Sequence, residues 1–175
     1  GEKQLCGNGN FADVSVFSFH PVKHIATGEG GMATTNCKEL YEKLCLYRTH
    51  GITKNPALLH ENHGGWYYEM QELGYNYRIT DFQAALGISQ LKRADMGLAR
   101  RQEIARRYRE GLSDLKGVKL PFVSDQVFHA YHLFIIQVED RLGLYDYLHK
   151  SNIYAQVHYV PLHLTPYYKQ LGNKE

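Results

Sequence analysis

The chain has 175 residues, which is enough for one compact domain or for parts of two, since domains usually run to about 100–200 residues. Its hydrophobic share of 43% and charged share of 22% match ordinary globular proteins, which excludes a chain that is disordered by composition. The 20 basic and 18 acidic residues are interspersed and give a formal net charge of +2. We therefore expect no nucleic-acid partner and no attraction to an anionic membrane.

The chain also lacks the segments and clusters that mark other classes of protein. The first thirty residues hold no apolar core of signal-peptide length, and no window approaches the roughly 20 apolar residues of a membrane span. The three cysteines form no CxxC pair, so we expect free thiols in a reducing compartment. No histidine pair lies beside a cysteine or carboxylate pair at ligand spacing. The sequence thus predicts a cytoplasmic protein with no metal site.

The first predicted elements are two strands joined by a loop. Residues 14–19, VSVFSF, are β-branched and aromatic and predict a strand that ends at His20 and Pro21. A glycine-rich turn then leads into a second apolar segment, residues 32–35. Lys23 therefore lies in the loop, just past the end of the first strand.

A helix and a long connection follow. The helix is predicted from Cys37 to about His50, with Asn36 as its N-cap and Glu39 as the capping-box partner. Residues 51–76 are rich in glycine and have no clear periodicity, so they predict a long ordered loop. Long loops in compact proteins often carry function.

Two further helices are predicted in the middle of the chain. Residues 80–83, TDFQ, form a capping box that opens a helix with one apolar side. The apolar residues on that side are Phe82, Ala85 and Leu86. The pattern slips around residues 95–97, and a second amphipathic helix then runs to about Leu112.

The last third predicts a small α+β unit. Residues 131–138 are apolar on both alternating sets, which predicts a buried strand. Asp140 is the expected cap of the next helix, and the alternation over residues 153–157 predicts another strand. We divide the chain into residues 1–112 and residues 113–175, with the border in the helical stretch.

Lys23 is the residue whose position points most directly to chemistry. A lysine is a nucleophile toward carbonyl carbons when its amine is neutral, and a partly buried loop between strands favours that form. Ser18, five residues earlier, has a hydroxyl that an anion nearby would accept. Position alone leaves a second interpretation open, in which Lys23 is one of the many solvated surface lysines.

Several motifs together resemble the DegT/DnrJ/EryC1/StrS family of nucleotide-sugar aminotransferases. The strings SFHPVK at residues 18–23 and TGEGGM at residues 27–32 are similar to the cofactor-lysine signature of that family. Residues 74–85, GYNYRITDFQAA, resemble its second signature. Residues 66–70 and 158–163 look most like the branch that aminates C4 of a UDP-linked keto sugar on the route to pseudaminic acid.

The resemblance implies an α/β fold, namely part of the PLP-dependent transferase fold type I. Residues 1–112 would be the C-terminal part of the large cofactor-binding domain with its connecting helices, and residues 113–175 an incomplete small α+β domain. In relatives, the front half of the protein supplies the partner of the pyridine nitrogen and the aromatic that stacks on the ring. We therefore expect these 175 residues alone to be inactive.

The resemblance also implies roles for individual residues. Lys23 would hold pyridoxal 5'-phosphate covalently and carry the proton during transamination, and Ser18 would bind the phosphate. Asn76 would reach the phosphate in the neighbouring subunit, which implies a homodimer with shared sites. His158 and His163 would line the pocket for the nucleotide sugar, and L-glutamate is the expected amino donor.

Two other functions stay open at this point. Some members of the family are sugar dehydratases in which histidine replaces the cofactor lysine, and Lys23 argues against that activity. His24 cannot take over, because adjacent residues of an extended segment point in different directions. A noncatalytic sugar-binding dimer module would keep the same scaffold, because a fold does not determine a function.

Overall fold

The computed structural model describes residues 4–172 and divides the chain into two compact units, Gly1–Leu98 and Ala99–Glu175. The helices are α1 (Lys38–Arg48), α2 (Asp81–Leu91), α3 (Ala94–Leu112), α4 (Arg141–Lys150) and α5 (Pro166–Gln170). The strands are β1 (Ser15–Ser18), β2 (Gly31–Thr34), β3 (Ile52–Thr53), β4 (Glu69–Met70), β5 (Val118–Lys119) and β6 (Gln137–Val138). The division between the units falls inside α3. The assignment of residues 1–112 and 113–175 to a large and a small domain stays a prediction.

The first two predicted strands are confirmed as an antiparallel pair. β1 pairs with β2 in a register that sets Ser15 opposite Thr34 and Ser18 opposite Gly31. Beyond the last pair, the Phe19 N–H donates to the carbonyl oxygen of Gly30 at 2.9 Å, and the Thr27 N–H donates to the Phe19 oxygen at 2.9 Å. These bonds close the base of the loop that contains Lys23.

The helix predicted from Cys37 is confirmed as α1, but its predicted cap is wrong. Cys37 occupies the N-cap position and makes no side-chain capping bond. The Asn36 side chain instead donates from Nδ2 to the carbonyl oxygen of Asn8 at 2.8 Å. The Thr35 hydroxyl accepts the Cys37 N–H at 3.1 Å. The Asn36 amide bonds a partner 28 residues away in the chain and therefore does not cap α1.

The predicted long loop contains a minimal strand pair. β3 and β4 are antiparallel, with Ile52 opposite Met70 and Thr53 opposite Glu69. The intervening residues 54–68 form an exposed excursion whose two ends are held together by this pair. We refer to residues 54–68 as the aromatic loop, because its C-terminal part carries Trp66, Tyr67 and Tyr68.

The capping box that opens α2 is confirmed. The Thr80 hydroxyl accepts the Gln83 N–H at 3.4 Å, and the Gln83 side-chain oxygen accepts the Thr80 N–H at 2.9 Å. The break before α3 lies earlier than the predicted slip at residues 95–97. The Arg93 N–H bonds the Gln90 oxygen three residues back, which ends α2 in a tight turn. The end of α3 at Leu112 agrees with the prediction.

The two strands predicted in the last third are wrong for most of their length. Of residues 131–138, only β6 is a strand, because β5 offers a partner for only two residues. Tyr131 has a φ of 48°, in the left-handed region, which no strand residue adopts. Residues 153–157 are exposed and form no strand. An extended segment becomes a strand only when a neighbour supplies its hydrogen bonds.

The predicted cap of α4 is confirmed, since Asp140 Oδ1 accepts the Gly143 N–H at 2.8 Å. The second unit is organised around Ala105 on α3, which is 2% exposed. The rings of Tyr108 and Phe134 lie 5.2 Å apart, and Arg109 donates to the carbonyl oxygen of Pro121 at 2.7 Å. These contacts hold the irregular segments of this unit against α3.

Large apolar side chains remain uncovered in both units. Within residues 4–172, Ala105 is the only hydrophobic residue that is fully buried. Phe82 and Phe122 are each 91% exposed, and Val16 is 80% exposed. The predicted apolar side of α2 is therefore an open surface in this chain. Apolar surface of this extent is normally buried against other protein, so we expect protein outside these residues to cover it.

Candidate active site

Lys23 lies in a tight turn directly after β1. Its N–H donates to the carbonyl oxygen of His20 at 2.9 Å, and the side chain is half-buried. Ser18 is the last residue of β1, and Lys23 follows it by five residues, in the turn. The structure thus keeps the two predicted cofactor-binding residues on one strand end and its loop. We call residues 20–29 the lysine loop.

The far side of the lysine loop is held by Thr27, which is only 2% exposed. Its hydroxyl donates to the carbonyl oxygen of Glu29 at 2.7 Å. Gly30 follows with a φ of 154°, and a Cβ there would overlap the Thr27 hydroxyl. Glycine is required at this position because the chain passes so close to Thr27. Across the loop, His20 Nε2 lies 3.6 Å from the Glu29 carboxylate, and both side chains are exposed.

The donor set of this loop fits two parts of pyridoxal phosphate. The Ser18 hydroxyl oxygen accepts the His20 N–H at 3.3 Å, so its own O–H is able to donate to a phosphate oxygen. The Lys23 amine is the group that would bond the aldehyde carbon. A hydroxyl at the end of β1 and a primary amine in the loop that follows are therefore chemically suited to the group.

The segment that contains Asn76 is fastened to the end of α1 by its backbone. The Tyr75 N–H donates to the Tyr47 oxygen at 2.7 Å, and the Tyr77 N–H donates to the Arg48 oxygen at 3.0 Å. The rings of Tyr75 and Tyr77 stack with centroids 4.8 Å apart. Because side chains alternate along an extended segment, Asn76 projects to the side opposite these two rings. Its side chain is exposed.

Two glycines make this attachment possible. Gly51 has a φ of 68°, and a Cβ there would overlap the carbonyl oxygen of Glu72. A Cβ on Gly74 would overlap the backbone of Gly51 and His50. The chain segments before and after the aromatic loop therefore touch backbone to backbone. Only residues without a side chain permit so close an approach.

Glu69 organises the aromatic loop, and its side chain is 12% exposed. Its carboxylate accepts the backbone N–H groups of His60 and Glu61 at 2.8 and 2.9 Å. The Tyr67 hydroxyl donates to it at 3.3 Å, and Gln71 Nε2 at 3.3 Å. The His60 N–H, followed by the other donors, lowers the pKa of Glu69 to about 2 against the opposing effect of desolvation.

The lysine loop and the start of α2 lie side by side. Gln83 Nε2 donates to the carbonyl oxygen of Glu29 at 2.9 Å, across 54 residues of sequence. A Cβ on Gly30 would lie 3.4 Å from Ile79 Cδ1, so this side chain lines the base of the loop. Ile79 is three residues after Asn76. The structure thus connects the lysine loop to the segment that carries the predicted phosphate ligand.

The two histidines predicted to bind substrate lie in the second unit. His158 is exposed in the extended segment after α4, with its ring 4.1 Å from that of Tyr159. His163 is exposed in a single 3-10 turn, Leu162–Leu164. Their role in binding the nucleotide sugar stays a prediction.

Sequence reasoning missed Gln83 and Glu69 as functional candidates. For Gln83 the signal was present, because the capping box fixes its side chain near the helix start, but its partner Glu29 is remote in sequence. Glu69 gave no signal of its own, since a single acidic residue in a glycine-rich connection is unremarkable. Within residues 4–172, no group of three or more histidine, cysteine or acidic residues is arranged to hold a metal ion. No helix in that range is long and apolar enough to cross a membrane.

The chain is similar to a known family and to curated proteins along most of its length. The model of the DegT/DnrJ/EryC1/StrS aminotransferase family matches residues 4–175. The spore coat polysaccharide biosynthesis protein SpsC of Bacillus subtilis is 41% identical over 178 residues, covering 95% of this chain and 45% of the relative. The UDP-4-amino-4,6-dideoxy-N-acetyl-beta-L-altrosamine transaminase of Campylobacter jejuni is 39% identical over 171 residues, covering 93% of this chain and 43% of the relative.

A solved structure shows the same fold. Helicobacter pylori PseC, an aminotransferase involved in the biosynthesis of pseudoaminic acid, superimposes with a TM-score of 0.83 at 36% identity. The match covers 99% of this chain and 46% of PseC, so the chain spans less than half the length of the proteins it resembles. The fold is therefore part of the PLP-dependent transferase fold type I, as predicted. The chain belongs to the DegT/DnrJ/EryC1/StrS aminotransferase family.

Proposed function

We propose that the protein containing this chain is a PLP-dependent aminotransferase that transfers an amino group to the C4 keto group of a UDP-linked deoxy sugar. L-Glutamate is the proposed amino donor. The observation that carries the proposal is the lysine loop. Its base is closed by the bonds between Phe19, Gly30 and Thr27, and it presents Lys23 five residues after the Ser18 hydroxyl.

Lys23 and Ser18 have different roles in the proposed reaction. Pyridoxal phosphate, when bound, supplies the electron sink that makes a proton next to nitrogen acidic. The Lys23 amine would hold the cofactor and, when free, would act as the base and acid that moves this proton. The Ser18 O–H would donate to the phosphate and so hold that end of the cofactor.

Other proposed roles extend beyond one chain. Asn76 projects away from the body of its own segment and is exposed, which suits a side chain that reaches the phosphate in a second subunit. The active protein would then be a homodimer with two shared sites. We assign His158 and His163 to the sugar or diphosphate of the substrate, because both are exposed donors on one C-terminal segment.

Borohydride labelling of the full-length protein tests the central claim. Incubation with pyridoxal phosphate, reduction and peptide mapping should place the modified residue at Lys23, and Lys23→Ala should lose both the label and turnover. Lys38→Ala is the matched control, because Lys38 is exposed on α1 and its ion pair within residues 4–172 is a long surface contact with Glu42 at 3.8 Å. This control should keep label and activity. A label on another lysine, or normal turnover of Lys23→Ala, would overturn the proposal.

The substrate is tested separately with labelled donors and two nucleotide sugars. Transfer of 15N from L-glutamate to a UDP-linked 4-keto-6-deoxy sugar is the expected result, with little transfer to the GDP-linked equivalent. A strong preference for the GDP sugar would support the aminotransferase activity but show that the substrate carries GDP and not UDP. A product that has lost a hydroxyl group without gaining nitrogen would identify the dehydratase instead.

A further inference from the structure

The side-chain amide of Gln83 makes hydrogen bonds to two different segments of the chain. Its oxygen accepts the Thr80 N–H at 2.9 Å and the Thr80 hydroxyl at 3.0 Å, which completes the cap of α2. Its nitrogen donates to the carbonyl oxygen of Glu29 in the lysine loop at 2.9 Å. One amide group therefore connects the start of a helix to a loop 54 residues earlier in the chain.

The partners of Gln83 allow only one orientation of the amide. The Thr80 N–H can only donate, so it requires the amide oxygen, and the Glu29 carbonyl can only accept, so it requires the amide nitrogen. The Glu29 oxygen also accepts the buried Thr27 hydroxyl at 2.7 Å. Glu29 is thus held from both sides, from within the loop by Thr27 and from α2 by Gln83.

Other contacts on the same face of α2 support this link. Gly87 lies one helical turn after Gln83, and a Cβ there would approach Thr27 Cγ2 to 3.1 Å. At the other end, Ile79 lies against Gly30. Gln83 therefore lies between two places of close approach to the lysine loop, Gly87 on α2 and Ile79 before its cap. Its hydrogen bond to Glu29 joins α2 directly to that loop.

We propose that Gln83 is a positioning residue, which holds the lysine loop in register with the Asn76 segment. This inference rests on the proposed function, because it concerns where the Lys23 amine is presented. The loop is closed at Phe19 and Gly30, so a displacement of Glu29 is transmitted to the Lys23 turn through a short backbone path. A shift of about 1 Å at a reacting group can lower the rate about 100-fold.

Two substitutions distinguish the hydrogen bond between Gln83 and Glu29 from the capping of α2 by Thr80. Gln83→Glu keeps an oxygen for Thr80, since glutamate is equally suited to the third position of a capping box, and its charge suits a helix N-terminus. It removes the N–H donor and sets a carboxylate against the Glu29 carbonyl. Thr80→Ala is the matched control, because it removes the capping hydroxyl and leaves the Gln83 nitrogen free to bind Glu29.

Amide hydrogen exchange of the full-length protein is the first measurement. Gln83→Glu should speed the exchange of residues 19–30 by about fivefold or more, the equivalent of one lost hydrogen bond. Protection should return in part as the pH is lowered through about 4, because the introduced carboxyl is progressively protonated and gains an O–H donor. Thr80→Ala should speed exchange at the start of α2 and leave residues 19–30 unchanged.

Kinetics and labelling supply the second readout. Gln83→Glu should lower kcat about tenfold or more, leave KM for the nucleotide sugar within about twofold, and still label at Lys23. Should this variant not fold, Gln83→Met removes the link without adding charge and is expected to show the same exchange and kcat changes.

Wild-type exchange over residues 19–30 in Gln83→Glu, or the same changes in Thr80→Ala, would overturn the proposal. A wild-type protein that does not label at Lys23 would instead overturn the proposed function. The exchange comparison would still decide whether Gln83 holds the loop.

Discussion

The Glu69 carboxylate binds both the backbone N–H and the ring of His60. The carboxylate oxygens accept the His60 N–H at 2.8 and 2.9 Å, and Oε2 lies 2.9 Å from the His60 ring nitrogen Nδ1. His60 belongs to the aromatic loop, whereas Glu69 belongs to β4. A single carboxylate on a two-residue strand therefore connects the aromatic loop to β4.

Replacing Glu69 with Gln should release this loop. The amide offers one acceptor oxygen in place of two and no negative charge, so some of the bonds from His60, Glu61 and Tyr67 are lost. We expect faster tryptic cleavage after Lys54 in the full-length protein. The matched control is Glu72→Gln, an exposed carboxylate outside the loop, which should be cleaved as slowly as the wild type. Equal cleavage of Glu69→Gln and wild type would show that the carboxylate does not anchor the loop.

The same contact predicts a dependence of stability on pH. The pKa of Glu69 falls from its ordinary value of 4.5 to about 2, because the His60 and Glu61 N–H groups stabilise the charged form. A lowered pKa stabilises the folded state fully above pH 4.5, and this contribution is lost as the pH falls towards 2. The difference in unfolding free energy between wild type and Glu69→Gln should therefore be larger at pH 6 than at pH 3. Urea denaturation at both values measures it, and a constant difference would contradict the assignment.

Gly74→Ala should destabilise the segment that carries Asn76. The added methyl group would overlap backbone atoms of His50 and Gly51, which cannot move without breaking the attachment to α1. We expect a loss of about 2–4 kcal/mol in unfolding free energy and faster amide exchange at Tyr75 and Tyr77. Gly65→Ala is the control, because a Cβ there meets no atom within 4 Å. A loss below about 0.5 kcal/mol in Gly74→Ala would show that the segment can be displaced freely.

Complementation tests whether Asn76 serves a neighbouring subunit. Lys23→Ala and Asn76→Ala are each expected to be inactive as homodimers. In a mixed dimer, one shared site keeps both residues and the other site has neither. Co-expression with two affinity tags should therefore yield purified heterodimers with up to about half of the activity per dimer. Inactive heterodimers would place Asn76 and Lys23 in the site of one subunit.

Local sequence signals were reliable where the interaction itself is local. The capping box of Thr80 and Gln83 spans four residues, and the Asp140 cap joins residues three apart, so both were predicted from spacing. The Asn36 cap was predicted by the same reasoning and failed. Its amide had a competing partner at Asn8, and no local pattern records a contact across 28 residues.

Strands were predicted less well because a strand depends on its neighbour. β1 and β2 were both predicted as strands, and they follow each other closely along the chain and pair with each other. Residues 131–136 and 153–157 have the composition of strands, yet they lack a ladder partner among the described residues. Composition favours an extended backbone, but hydrogen bonds from another segment are needed to complete it.

The sequence by itself determined the family, the strand that ends near Ser18, the loop that contains Lys23, and the helix capped by Thr80. These features depend on residue types at fixed short spacings, and such spacings are visible in the sequence. Only the tertiary structure decided that Gln83 binds Glu29, that Glu69 gathers the aromatic loop, and that Gly51 and Gly74 meet backbone to backbone. The bonds of Glu69 to Glu61 and His60 span eight and nine residues, and the other two contacts span more. Such contacts form only once the chain has folded and brought their partners together.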